Sequence, residues 1–227
     1  MGIFLNHKIR RRVVIFAIGM AAVSCQIAER ANDRSPSVRE LTILYTHDEH
    51  GWMEGVEAGR GAAEMFGLWK AREGYSSDGP YLILSGGDMW TGPAISTWFG
   101  GESMVEIMNA MGYNAAALGN HEFDFKTEGL LSRRAESAFP YLSANIRLKE
   151  NGEPPEFVTP YIIEVVNDLR VGIIGLTTTS TPYSAFPDYV APYDFIDYHQ
   201  ALADILPAVN ADSPDVIIVI STFAVRS

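Results

Sequence analysis

Leu41-Thr42-Ile43-Leu44-Tyr45-Thr46-His47-Asp48-Glu49-His50-Gly51 is the stretch on which the fold turns. Its opening residues are short, apolar and β-branched, the pattern of a strand rather than a helix. An acid and an imidazole two residues apart follow where the strand gives out. The same succession occurs twice more. Tyr81-Leu82-Ile83-Leu84 reads as a strand and runs into Ser85-Gly86-Gly87-Asp88. Ala115-Ala116-Ala117-Leu118 leads into Gly119-Asn120-His121-Glu122-Phe123-Asp124.

Helical patterns separate these strands. Gly61 to Glu73 places Met65, Phe66, Leu68 and Trp69 on one broad apolar face. Glu102 to Met111 repeats Met104, Val105, Ile107, Met108 and Met111 at helical spacing, and a further helix is expected over Thr127 to Ser137. Tyr141 to Ala144 reads as a short strand. Tyr161 to Val166 and Arg170 to Leu176 flank Asn167-Asp168, a hairpin turn signal. Residues 177–197 read as a long ordered loop, and His199 to Val209 as a helix that kinks or ends at Pro207. Asp215 to Ser221 is a buried strand. Alternation of strand and helix with one inserted hairpin means an α/β fold with a mostly parallel sheet covered on both faces.

In such sheets the functional site lies beyond the carboxyl ends of the strands, where the polar residues gather here. Asp48 and His50, two apart in an extended stretch, would share one side of the chain. A carboxylate with an imidazole suits Zn, Mn or Fe. Gly86-Gly87 lets the backbone turn sharply before Asp88, whose two oxygens could bridge two cations. Asn120 offers a neutral carbonyl oxygen, and His121 is either a ligand or an acid. Other residues read as structural. His47 would face away from Asp48, His199 opens a helix, and His7 belongs to the leader. Glu49 and Glu122 alternate away from the ligands and are expected in solvent or in local hydrogen bonds. Trp52, Trp90 and Trp98 could line a cleft, with core packing expected for at least two of them.

The composition agrees with a packed domain. Of 227 residues 47% are hydrophobic and 20% charged, with one Cys. That excludes a disordered tail, a collagen, a coiled coil and a disulfide scaffold. The formal charge of −11, without a basic stripe, argues against nucleic acid as a partner.

The N-terminus is an address. His7-Lys8-Ile9-Arg10-Arg11-Arg12 is a basic stretch, Val13 to Val23 are apolar, and Ser24-Cys25 follows. This is the layout of a secretory signal over residues 1–24. At ~1.5 Å per residue so short a run does not span a ~30 Å hydrocarbon core. Ala22-Val23-Ser24-Cys25 resembles a bacterial lipobox, which implies lipidation of Cys25 and an extracytoplasmic, periplasmic or cell-surface location with a membrane anchor. Residues 25–39 then read as a polar tether, and residues 40–227 as the domain. Cleavage removes four basic residues and no acidic ones, taking the formal charge from −11 to −15.

The three strand-end motifs carry a resemblance, together with Ser143-Ala144-Asn145-Ile146 and Val171-Gly172-Ile173-Ile174-Gly175-Leu176-Thr177-Thr178. From about Leu41 onward the chain resembles the catalytic domain of the 5′-nucleotidase branch of the calcineurin-like metallophosphoesterases. The resemblance implies a layered α/β/β/α sandwich and two divalent metal ions (Zn, Mn or similar). It implies a hydrolase of nucleotides or other phosphate esters that serves nucleotide breakdown. By motif, Asp48 and His50 would hold the first metal, Asp88 would bridge both, and Asn120 would bind the second. His121 would be the catalytic histidine, oriented by Asp124.

The match also fails in places. The family continues after the last strand with Ser-His, whose imidazole binds the second metal. Here Ser221 is followed by Thr222, and a hydroxyl is a poor substitute. The later Gly-His-x-His motif and the nucleoside-binding C-terminal domain are absent from these residues. The expectation is a partial domain, incomplete at the C-terminus, of impaired activity and with an uncovered apolar face near Val216 to Ile220. Two alternatives stay open: a non-catalytic lipoprotein retaining the fold, and a thiosulfohydrolase-like enzyme for a non-phosphate substrate.

Overall fold

The computed structural model describes residues 38–55 and 61–222. The signal, Cys25 and most of the tether lie outside the described residues. No described helix is long and apolar enough to cross a membrane.

Four parallel strands form the first sheet, in the order β1 (Thr42–Thr46), β2 (Tyr81–Ser85), β3 (Ala115–Ala117), β4 (Tyr141–Leu142). Ile43 pairs with Leu82 and Tyr45 with Leu84. Side chains alternate across this sheet. Ile83, Leu44 and Ala116 enter a core beneath helices α1 (Ala62–Arg72), α3 (Glu102–Met111) and α4 (Lys126–Glu136). The short helix α2 (Ala94–Thr97), which the periodicity misses, precedes α3. Leu82, Leu84, Ala115, Ala117 and Leu142 face the other way, onto Val171, Ile173 and Ile220 of a second sheet. Burial on both faces explains why β2 reads as an unbroken apolar run.

The second sheet has the order β6 (Tyr161–Val166), β7 (Leu169–Leu176), β9 (Val216–Ser221). β6 and β7 are antiparallel, joined at Asn167-Asp168 with φ 51° and 59°. Left-handed backbone at both central residues is what a type I′ hairpin requires. β9 runs parallel to β7. Helix α7 (Tyr198–Ala211) packs Ala201 and Val209 on the outer face of this sheet, against Ile174 and Leu176. The layers are therefore α/β/β/α, as the motifs implied.

Three expectations need correction. Residues 177–197 are not loop throughout: they contain α5 (Thr181–Ser184), α6 (Pro187–Val190) and β8 (Tyr193–Phe195). β8 pairs with β5 (Ile146–Leu148) in a small antiparallel sheet. Helix α7 neither ends nor is interrupted at Pro207. Its start is fixed by Asp197, which accepts the His199 and Gln200 N–H groups, and Val209 anchors its far end in the core. Packing there outweighs the one missing backbone bond. The apolar stretch near Val216 to Ile220 is uncovered only in part: Val216 and Val219 are 39% and 46% exposed, while Ile220 is 2% exposed.

Candidate metal centre

The site grows from the loops beyond β1, β2 and β3. Past Thr46 the backbone leaves the extended region, and Asp48 and His50 adopt φ of 54° and 46°. Asp48 and His50 are therefore not alternating residues of an extended stretch. A short ladder holds them instead: Asp48 N–H donates to Gly87 O at 3.0 Å, His50 N–H to Asp88 O at 2.9 Å, and Gly51 N–H to Met89 O at 2.7 Å. Asp88 is also left-handed, at φ 58°. Non-glycine residues in that region cluster at functional sites because the surroundings must hold them there. The glycine expectation is met at Gly87, where φ is 105°. A Cβ there would lie 2.5 Å from the Gly119 nitrogen.

His50 Nδ1 lies 2.8 Å from the Thr91 carbonyl oxygen. A carbonyl can only accept, so Nδ1 carries the proton and Nε2 is left with its lone pair for a ligand. Asp48 Oδ1 is 3.9 Å from that Nε2. His47 does not face away from Asp48: its Nδ1 lies 2.6 Å from Asp48 Oδ2. The left-handed turn at Asp48 swings its carboxylate back toward the preceding ring.

His121 joins the cluster through both backbone and ring. Its N–H donates to Asp88 Oδ1 at 2.8 Å, and its Nδ1 lies 2.7 Å from Asp124 Oδ2. That hydrogen bond, stronger than the opposing cost of burial, raises the His121 pKa above the ordinary imidazole value. The His50 and His121 rings meet edge to face with centroids 4.8 Å apart. One donor atom from each of His50, Asp88 and His121 lies within 4.8 Å of the others. Burial pushes the Asp88 carboxyl up from the usual carboxylate range, and Asp48 adds to the push, against the His121 N–H. The His50 imidazole and the desolvated Asp88 carboxylate fit a divalent cation, and the His121 ring stands beside them as ligand or acid. Asn120 lies between Gly119 and His121, both of which contact Asp88.

Glu122 is the residue that sequence reasoning misplaced. It is fully buried and accepts three backbone N–H groups: Asp88 at 2.9 Å, Met89 at 2.7 Å and Gly119 at 2.6 Å. One carboxylate thus ties the β2 loop to the β3 loop. Burial, then the charge of Asp88, pushes its pKa up to about 8. A single 3-10 turn, His121–Phe123, rotates Glu122 inward. The Gly-x-x-Glu spacing was the available signal, since a carboxylate three residues on commonly returns to the first N–H of a turn. Glu49 is also drawn in: it accepts from the Thr46 hydroxyl, and burial raises its pKa.

The second sheet closes beside this site with neutral groups. Asn145 Oδ1 accepts the Thr177 N–H at 2.8 Å and Asn145 Nδ2 donates to the Thr177 carbonyl at 2.8 Å. The Thr177 hydroxyl donates to Ser143 Oγ at 2.9 Å. Beyond β9, Tyr45 OH donates to the Ser221 carbonyl at 2.7 Å. Thr222 comes next to Gly119 on the Asp88 side: a Cβ on Gly119 would meet both Asp88 Oδ1, at 2.2 Å, and Thr222 Cγ2, at 2.8 Å. Of the three tryptophans, only Trp90 is core, while Trp52 and Trp98 are 46% and 85% exposed.

No protein-family model matches the chain. A 5′-nucleotidase of Vibrio cholerae is 32% identical over 217 residues, covering 94% of this chain and 39% of that protein. The solved 5′-nucleotidase precursor from Thermus thermophilus superposes with a TM-score of 0.69 at 28% identity, covering 80% of this chain and 36% of that one. A calcineurin-like phosphoesterase, YfkN from Bacillus subtilis, shares the fold with a TM-score of 0.70 at 24% identity, covering 82% of this chain and 63% of that one. The chain spans about two fifths of the length of these curated relatives. With the layered fold and the histidine–carboxylate cluster, these likenesses make the chain a member of the 5′-nucleotidase branch of the calcineurin-like metallophosphoesterases, a family of metal-dependent phosphoester hydrolases.

Proposed function

We propose that this chain is the hydrolase domain of an extracytoplasmic phosphoesterase acting on 5′-nucleotides or related esters. The observation that carries it is the meeting of His50, Asp88 and His121 donors within 4.8 Å at the ends of parallel strands. Asp48 and His50 would hold one divalent ion, Asp88 would bridge to a second, and Asn120 would bind that second ion. Such ions would supply Lewis-acid charge to the phosphoryl group. His121 acts on the ester directly. Asp124 accepts the Nδ1–H hydrogen bond, fixes the ring and leaves Nε2 to face the ester. The Asp124 hydrogen bond raises the ring's pKa and so favours its protonated form, whose Nε2–H would stabilise charge on a phosphoryl or leaving oxygen. Glu122 holds the two ligand loops in register without touching substrate.

The location rests on the basic stretch, the apolar run and Cys25, with residues 1–24 as a lipoprotein signal, 25–39 as a tether and 40–227 as the domain. Labelling with palmitate, compared with Cys25→Ala, tests the anchor, and equal label in both sinks it. The function is tested with purified protein, Mn²⁺ or Zn²⁺ and AMP, against a His121→Ala control. Metal-dependent phosphate release above the control supports it, and none refutes it. Thr222 beside Asp88 favours the second possibility, a fold-retaining lipoprotein with weak metal binding and no turnover.

A further inference from the structure

His50, Asp88 and Asp48 are each held by a group behind them. The Thr91 carbonyl holds His50 through Nδ1, and the His121 N–H holds Asp88 through Oδ1. For Asp48 that group is the His47 ring, whose Nδ1 lies 2.6 Å from Oδ2. An ionised carboxylate only accepts, so Nδ1 carries the proton and donates. His47 is itself seated. Its ring centroid lies 5.8 Å from that of Tyr45, and Tyr45 OH donates to the Ser221 carbonyl. The close approach depends on glycine at position 86: a Cβ there would lie 2.9 Å from His47 Cβ and would collide with Tyr45 OH and the Ser221 oxygen.

We propose that His47 is a positioning residue, which turns the Asp48 carboxylate so that Oδ1 is the oxygen offered to the first cation. This rests on the function proposed above, in which Asp48 and His50 share that ion. The last torsion of an aspartate is broad, so an untethered carboxylate would present either oxygen at varying angles. With Oδ2 engaged, Oδ1 stands 3.9 Å from His50 Nε2. Two donors each ~2.0–2.2 Å from one cation are at most about 4 Å apart, so the pair already has a span that one ion can bridge. The His47 and Asp48 side chains are 53% and 42% exposed, and so exposed a pair adds little to folding. Its consequence is for the ligand rather than for stability.

The test measures Mn²⁺ binding by calorimetry in wild type, His47→Leu and His47→Asn, with matched thermal midpoints as the check on folding. His47→Leu removes the donor and should weaken binding roughly 10–100-fold, the scale of losses just outside a coordination sphere. His47→Asn keeps an N–H donor at the place of Nδ1 and should recover most of that loss, which packing of the ring alone would not allow. In metal-free protein, ¹⁵N spectra of the histidine rings should show a protonated Nδ1 on His47. Binding indifferent to His47→Leu would overturn the proposal, as would a loss in His47→Asn as large as that in His47→Leu, or a bare Nδ1. A wild type that binds no Mn²⁺ would refute the metal centre itself, and the proposal with it.

Discussion

Beyond β1, β2 and β3 the chain carries Asp48, His50, Asp88 and His121, three of them in left-handed backbone. Beyond β7 and β9, at the same end of the molecule, it carries Thr177, Ser221 and Thr222, with the Asn145 amide and the Ser143 hydroxyl beneath. Both ends are held by side chains that accept or donate to backbone. The first uses the buried carboxylate of Glu122, the second the neutral amide of Asn145. A carboxyl clamp can take up charge where a cation would offset it, whereas a neutral amide network satisfies the same backbone groups without that option. Binding and packing should therefore separate when the two ends are altered in turn.

The largest effects belong to the charged end. His121→Ala should cut kcat by ~10²–10⁴-fold, the usual contribution of a positioned acid or base, as read by phosphate release from AMP under saturating metal. Asp88→Asn should weaken Mn²⁺ binding by more than the ~10–100-fold seen for losses outside the coordination sphere, as measured by calorimetry. The neutral end should behave in the opposite sense. Asn145→Ala leaves the Thr177 N–H and carbonyl without their partner, at about 1–3 kcal/mol for each group left unsatisfied. Urea unfolding should register that loss while Mn²⁺ affinity stays unchanged.

Asp124→Asn gives a subtler separation. The Asp124 hydrogen bond is the largest cause of the raised His121 pKa, so the ring keeps its proton to higher pH when Asp124 is present. Without that carboxylate the alkaline limb of the kcat profile should move to lower pH, and an unmoved limb would detach the pair from catalysis. The smallest effect is a gain. Thr222→His would put an imidazole beside Asp88 and should tighten Mn²⁺ binding by roughly tenfold, within the range of single-group changes around metals.

Much of this architecture was legible in the residues. Strands buried on both faces announce themselves as unbroken apolar runs, and Asn167-Asp168 specified its own turn. Each candidate ligand followed a strand, so the parallel order alone gathered them at one end. The finer geometry was hidden by an assumption of extended backbone. Strand alternation sent Glu122 outward and His47 away from Asp48, whereas a 3-10 turn and a left-handed residue turned both around. The small sheet of β5 and β8 escaped because three-residue strands carry too little pattern to register. Pro207 misled because the propensity cost of one residue is modest beside a helix face anchored on two strands.

The ladder between residues 48–51 and 87–89 bears on how the site meets its ion. Left-handed backbone at Asp48, His50 and Asp88 costs of order 1–3 kcal/mol per residue, and the fold itself sustains that cost through Glu122 and the ladder. Amide hydrogens of His50, Gly51 and Met89 should then exchange slowly in chelator-treated protein and scarcely slow further when metal is restored. The cation would enter a finished socket, and its capture would be limited by the shedding of its own hydration shell rather than by movement of the chain.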